Sequence, residues 1–405
     1  MKESRKIKPI FHQVRRKLAK IWLDINLQLT VVGITGSYGK TATTQAIAEV
    51  LSAKYSTQRT DLNLDTVYNL PITILKTKPW NEVLVLEYGV DHKNEMDLHL
   101  SLVKPKIAVL TGITPVHSDE EHFGSLDNII AEKRKLVEAV PSDGLAVFNF
   151  DDERVRKIGL EFPGRKVFYG IKKGADVYAE DIRIHFKGTE FVLNDKNEKT
   201  NVQTGLLGYP AVYTCLATFA VAQELRVEKE RIIRKLSQLI PLKGRFSLEK
   251  GPLQTVLLND SRRANPASTI AGLKSLAEFP GRKVAVLGEM GELGTWEKEM
   301  HRQVGRELSR LPIDIVVGVG PLTKFIIQEA KCGGVKESRL FWAKDVAEAA
   351  LILERILKKD DVLYLKASLL RHLERVVLLL QGKKVSCRLI SCGRYQSCDT
   401  CSRVV

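Results

Sequence analysis

The sequence predicts two successive α/β domains, each built on a mostly parallel sheet, and three observations predict it. Short Val/Ile/Leu-rich runs alternate with segments of helical period across most of the 405 residues. Such alternation needs crossover helices, and hence parallel strands covered on both faces. The length suits two or three domains of about 100–200 residues. The alternation also breaks midway, at a Pro241-Leu242-Lys243-Gly244-Arg245 turn, and restarts from about residue 249.

Residues 10–29 place Phe11, Val14, Leu18, Ile21, Trp22, Ile25 and Leu29 at three- and four-residue steps. That is an amphipathic helix, with Arg15, Arg16, Lys17 and Lys20 off the stripe. Thr30–Ile34 is a short buried strand running into a glycine turn, and 42–53 is helical. Glu82–Glu87, Lys106–Thr111, Leu145–Asn149 and Lys166–Tyr169 read as further strands. Residues 176–204 alternate polar and apolar, a small antiparallel excursion, before a helix at Val212–Glu224. In the second half, strands are expected at Thr255–Leu258, Lys283–Leu287, Ile315–Val319 and Val362–Leu365. Helices are expected near 267–278, 297–310, 321–330, 345–358 and 369–380. The organisation is then a basic N-terminal helix (1–30), a central domain (31–248), a C-terminal α/β domain (249–380) and a basic, Cys-rich tail (381–405).

With 44% hydrophobic and 27% charged residues, a largely disordered chain is excluded. No run approaches the ~20 apolar residues of a membrane span, and no signal peptide is recognisable, so a cytoplasmic protein is expected. The net charge of +15 is concentrated at the ends: residues 1–20 hold eight Lys/Arg against one Glu, and 381–405 hold five against one Asp. The body is nearly balanced, which argues against nucleic acid as a partner. An anionic small substrate fits the excess. So does contact of the N-terminal helix with an anionic membrane surface or another protein. Cys215 and Cys332 are isolated and expected to be buried. Cys387, Cys392, Cys398 and Cys401 crowd the tail and could bind zinc or an iron–sulfur cluster.

Thr35-Gly36-Ser37-Tyr38-Gly39-Lys40-Thr41 lies between a strand and a helix. Glycines let backbone N–H groups close on phosphate oxygens, and the helix N-terminus adds unpaired donors. Lys40 would neutralise β/γ-phosphate charge, and the Thr41 hydroxyl would bind Mg²⁺. Ile34 replaces the first glycine of the general consensus, so this is a variant phosphate loop. The central domain therefore reads as a P-loop-type ATPase. By residue type alone, Lys133 in Glu132-Lys133-Arg134-Lys135 belongs to a solvated basic face.

The variant Thr-Gly-x-x-Gly-Lys-Thr resembles the Mur ligase family, which includes folylpolyglutamate synthetases. Leu86-Glu87-Tyr88-Gly89, Thr111-Gly112-Ile113-Thr114-Pro115-Val116-His117 and Phe123-Gly124-Ser125 with Ala131-Glu132-Lys133 are similar to its further segments. Asn149-Phe150-Asp151-Asp152 and Gly244-Arg245 also fit. In the second half, Asp260-Ser261, Ala264-Asn265-Pro266, Val286–Gly294, His301, Lys366-Ala367-Ser368 and Glu374–Val377 resemble the branch that adds D-alanyl-D-alanine to a UDP-MurNAc-tripeptide. The resemblance implies a Rossmann-like C-terminal domain. It also implies ATP-dependent, ADP-forming ligation of a carboxylate and an amine in cell-wall precursor synthesis. Thr41 and Glu87 would bind one Mg²⁺; His117 and a carbamylated Lys133 would serve a second. Spacing to Pro141 and Gly144 favours Lys133 over Lys135. Arg245 would reach the γ-phosphate, Asp260 the ribose, and Arg262 the phosphates.

The departures concern the base and the acceptor. The family's Gly-x-His-Asn-Val-x-Asn segment is Gly208-Tyr209-Pro210-Ala211-Val212-Tyr213-Thr214. Arg262-Arg263 replaces Tyr-Asn, Gly112 replaces Asn, and Ala367 replaces Gly. About 30 residues precede the loop, where that branch carries a domain for the uridine nucleotide. A related ligase acting on another acceptor, or a non-catalytic nucleotide-binding partner in cell-wall assembly, are the competing expectations.

Overall fold

The computed structural model describes residues 4–26, 28–61, 66–196, 198–387, 389, 391–394 and 398–402. The ends of the expected N-terminal helix (1–3) and tail (403–405) lie outside the described residues. The chain separates into two compact units: Met1–Ile182, Glu190–Gln203 and Val212–Leu239 in one, Arg183–Thr189, Thr204–Ala211 and Ile240–Val405 in the other.

The first sheet has nine strands: β1 (Thr30–Thr35), β2 (Thr57–Arg59), β3 (Val83–Glu87), β4 (Ile107–Leu110), β5 (Leu145–Asn149), β6 (Lys166–Gly170), β7 (Val177–His185), β8 (Gly188–Asp195) and β9 (Glu198–Thr204). Their order is β2-β3-β1-β4-β5-β6-β7-β8-β9. Every pairing from β2 to β7 is parallel. β1 feeds one way, through β2 and β3, before the chain crosses to β4 on its other side. The crevice outside the carboxyl ends of β1 and β4 is therefore a topological switch point, where ligands of such sheets bind. Leu84, Leu86, Ala108, Leu110, Ala146 and Phe148 are fully buried, each large apolar side chain contributing roughly 1.5–3 kcal/mol.

The N-terminal helix spans Ser4–Ile25. Most of its long apolar stripe does not pack: of the stripe, only Trp22 and Leu29 reach the core. Ala19 and His12 are buried, Trp22 and Leu23 lie against the core, and the His12 ring meets Tyr68 edge-on at 4.5 Å. Phe11, Val14, Leu18, Ile21 and Ile25 stay exposed, Ile25 by 70%. No helix among the described residues is long and apolar enough to cross a membrane.

The second sheet has β10 (Ser247–Lys250), β11 (Val256–Asp260), β12 (Lys283–Gly288), β13 (Ile315–Val319), β14 (Leu340–Ala343) and β15 (Val362–Lys366), in the order β10-β11-β15-β12-β13-β14. Only β10–β11 is antiparallel. β10 and β14 are not among the expected strands: β10 is short and polar, and β14 is a four-residue apolar run, Leu-Phe-Trp-Ala, too short to tell from a helix segment. β15 sits between β11 and β12, so Asp260, Lys366 and Leu287 stand side by side at the carboxyl ends. Two expectations are corrected here. The 369–380 segment is a short 3-10 turn and a helix Arg375–Leu380, broken by His372 in the left-handed conformation (φ 49°). Cys332 is exposed at the end of the helix Thr323–Cys332, one residue outside its apolar face; Cys215 is buried as expected.

Candidate active site

β1 ends at Thr35, and the chain turns through Gly36–Gly39 into the helix Lys40–Leu51. Gly36 (φ 147°) and Gly39 (φ 77°) hold angles that strain L side chains. At Gly36 space forbids one as well, since a Cβ would lie 2.1 Å from the Thr111 Oγ1. That hydroxyl, one residue beyond β4, donates to the Tyr38 carbonyl (2.5 Å) and stands 3.1 Å from the Thr35 carbonyl. The Ser37 N–H donates to the Gly112 carbonyl (2.7 Å), and the Ser37 hydroxyl accepts the Thr114 N–H (3.0 Å). The Lys40 ammonium arches back to the Gly36 carbonyl at 2.8 Å. The loop is thus tied to the strand on each side of it, and Lys40 and Thr41 open the helix with its N-terminal donors.

Tyr38 explains Gly112. A Cβ at Gly112 would lie 2.0 Å from the Tyr38 ring, so this ring occupies the place where the family's Asn side chain begins. The Tyr38 hydroxyl donates to Asp152 Oδ2 (2.9 Å), which also accepts the Ile113 N–H (2.9 Å). Desolvation, then the Asp152 charge, keeps the phenol well above its usual pKa, so it remains a donor.

Glu87 closes β3, paired in register with Ile34 of β1, which sets it beside the phosphate loop. The Thr60 hydroxyl accepts its N–H (3.0 Å) and Asn69 donates to its carbonyl (3.0 Å). His117 holds a left-handed backbone (φ 68°), a costly conformation for a non-glycine residue. Its ring lies 5.0 Å from that of His122, itself 2.6 Å from Asp119. Asp91, His92 and Glu95 offer donor atoms all within 4.8 Å of one another.

Lys133 overturns the expectation of a solvated basic face. The helix Leu126–Glu138, capped by the Ser125 hydroxyl, turns Lys133 inward, leaving it 3% exposed with its ammonium 5.9 Å over the Phe123 ring. Burial, then the Lys40 charge, pulls its pKa down to about 7, against the pull of Asp91, Glu132 and Glu95. Lys135 instead turns to Asp97 (2.6 Å) and Glu132 (2.8 Å). The two lysines differ chemically: Lys135 is held as a cation, while Lys133 is an amine that sheds its proton near neutral pH.

In the second unit, Gly244 (φ 76°) lies against Arg262, whose Cγ would be 2.7 Å from a Cβ there, so Arg245 and Arg262 share one turn. Asp260 Oδ2 accepts from Lys366 (2.6 Å) and the Tyr364 hydroxyl (3.2 Å), which fixes the carboxylate. Glu289 is buried, accepting the Leu322 N–H (3.0 Å) and pairing with Arg371 (3.0 Å). His301 Nε2 accepts the Met290 N–H (3.1 Å), and Nδ1 faces the Glu297 carbonyl (2.6 Å). Burial lowers its pKa, so it braces the loop as a neutral ring. The expected residues thus form two groups, each within its own unit: Thr35–Thr41, Glu87, His117 and Lys133 in one, Arg245, Asp260 and Arg262 in the other. Thr111, Asp152, Lys366 and Arg371 do supporting work that residue type and spacing do not reveal.

A phosphate loop at a switch point, backed by a buried lysine and followed by a second α/β unit, defines a nucleotide-dependent ligase. Residues 34–222 match the Mur ligase middle domain, and 244–369 match the Mur ligase glutamate ligase domain. The chain belongs to the Mur ligase family of ATP-dependent, peptide-bond-forming ligases of peptidoglycan synthesis. It is 32% identical over 302 residues to the UDP-N-acetylmuramoyl-tripeptide–D-alanyl-D-alanine ligase of Escherichia coli K12, covering 74% of this chain and 66% of that protein. To the Bacillus subtilis 168 ligase of the same name it is 30% identical over 366 residues, covering 89% of this chain and 78% of the relative. The structure of MurF ligase from Thermotoga maritima in complex with ADP superposes with a TM-score of 0.79 at 27% identity, covering 92% of this chain and 83% of that one.

Proposed function

We propose that the protein joins a carboxylate to an amine at the expense of ATP, releasing ADP and phosphate, with D-alanyl-D-alanine as amine and a UDP-MurNAc-tripeptide-type precursor as acceptor. The acceptor carboxylate attacks the γ-phosphorus and ADP leaves. The amine then attacks the acyl carbon, loses a proton, and phosphate departs. The observation that carries the reading is Lys133, a buried amine whose pKa is pulled to about 7 by burial and then by the charge of Lys40 in the phosphate loop. A neutral amine can add carbon dioxide, which turns a repelled cation into an oxygen ligand.

The residues present suit ATP and Mg²⁺. Gly36 and Gly39 hold backbone angles that strain L side chains, so the loop presents backbone rather than side chains, and hard oxygen donors flank it. Thr41 and Glu87 would hold one Mg²⁺, and His117 with carbamylated Lys133 a second; bound there, the metals offset phosphate charge. Thr35–Gly39 orient the phosphates, and Lys40 places a fixed cation at the transferred group. Arg245 and Arg262 supply the cations of the second unit. Lys366 and Tyr364 hold Asp260 through Oδ2, and its other oxygen would be the one to accept from ribose hydroxyls. The names of the relatives support the choice of substrates.

The test is phosphate release by the purified protein with ATP, Mg²⁺, UDP-MurNAc-tripeptide and D-Ala-D-Ala, with the product weighed by mass spectrometry. Release that depends on both substrates, with a pentapeptide product, is expected. Turnover with a different acceptor would replace the assigned substrates; none with any acceptor would leave a binding protein.

A further inference from the structure

The tail cysteines are a cluster that ligase chemistry leaves unused. We propose that Cys387, Cys392, Cys398 and Cys401 are the four thiolate ligands of a structural zinc ion that pins the tail onto the second unit.

All four line one small enclosed void, together with His372, Arg375 and Arg394. The void measures about 10 Å³, the scale of a single ion. The spacing Cys-x4-Cys-x5-Cys-x2-Cys ends on a 3-10 turn, Cys398–Thr400, in which the Cys401 N–H donates to the Cys398 carbonyl (3.2 Å). A Cys-x2-Cys pair closing on such a turn is the spacing that structural zinc sites use for two of their four ligands. Leu378 and Val385 pack on Cys387, Cys398 and Cys401 and keep water out.

The surroundings match the charge. Zinc with four thiolates carries a net charge of about −2, and second-shell donors offset it. Arg375, 2% exposed, gives its N–H groups to the carbonyls of His372 (3.1 Å), Arg371 (3.1 Å), Cys387 (3.2 Å) and Leu389 (2.8 Å), and to the Cys387 sulfur (3.7 Å). Arg394 donates to the Cys401 sulfur (3.7 Å). Two guanidiniums on sulfur are what an anionic cluster would hold. His372, Glu374 and Cys398 also lie within 4.8 Å of one another. Both His372 ring nitrogens already face oxygens, Glu374 at 2.9 Å and the Arg394 carbonyl at 3.0 Å.

The test uses the full chain, prepared anaerobically from zinc-supplemented cells. About one zinc per chain is expected, lost in the Cys398→Ser/Cys401→Ser double variant and kept in Cys215→Ser and Cys332→Ser. Cobalt exchanged into the wild type should show the intense visible bands of tetrahedral thiolate coordination. Stripping the metal with a mercurial should open Lys383, Lys384 and Arg394 to trypsin. Metal-free wild type, iron with sulfide in place of zinc, or zinc retained by the double variant overturns the proposal. The cobalt spectrum decides even if the double variant fails to fold.

Discussion

At the residue scale, the proposed function gives Lys40 and Lys133 opposite tasks. Under it, Lys40→Ala removes the fixed cation at the transferred phosphoryl, and a loss of about 10²–10³ in turnover is expected. Wild-type rates in that variant would put the site elsewhere. Lys133→Ala should abolish ligation, and short carboxylates such as acetate should partly restore it by filling the vacated oxygen position. Lys133→Arg, which keeps the charge, should stay inactive, and Lys135→Ala should stay active. An active Lys133→Arg would show that a cation was needed; an inactive Lys135→Ala would move the role by two residues. Residue type could not separate these lysines, because both sit in one charged run. Only the helix phase, which hides one and exposes the other, makes the distinction. The phosphate loop, by contrast, was legible because its glycines and its Lys-Thr are local in sequence. Thr111 and Asp152, which lock it from more than 70 residues away, were not.

At the element scale, the N-terminal helix shows how pattern and packing can part. Its periodic stripe announced a helix correctly, yet the side chains that anchor it are His12, Ala19 and Trp22. Periodicity reports which residues share a face, not which face meets the core. Ala19→Glu forces a charge into a site with no exposure and should destabilise the first unit by about 2–4 kcal/mol. Leu18→Gln, on the exposed stripe, should stay within about 0.5 kcal/mol. Chemical denaturation measures both, and equal effects would mean the helix packs by its stripe. The short strands β10 and β14 lie at the sheet edges and are four residues each: β10 is too polar to register, and β14, Leu-Phe-Trp-Ala, is too short for its period to be read.

At the scale of the whole molecule, stability should carry the signature of the buried amine. The pKa of Lys133 in the fold is about 7, below its ordinary value of 10.5. Between those values the unfolded chain holds a proton that the native chain does not. Stability therefore rises with pH across that window, by up to about 1.4 kcal/mol per unit, and the penalty is full below about 7. In carbon-dioxide-free buffer, urea unfolding of wild type against Lys133→Met should show that rise in the wild type alone. Parallel pH profiles would mean the amine stays charged in the fold. The division into two α/β units was readable from the restart of strand–helix alternation. The order of strands within each sheet was not. It is the order that puts the loop at a switch point and Asp260 beside Lys366.

The pairing of Tyr38 with Gly112 couples two distant positions. A Cβ at 112 would fall 2.0 Å from the tyrosine ring. Restoring the family's Asn alone would therefore push the ring from its place against Asp152, whereas restoring it together with a small residue at 38 would not. The two positions, 74 residues apart along the chain, have to be exchanged as one unit.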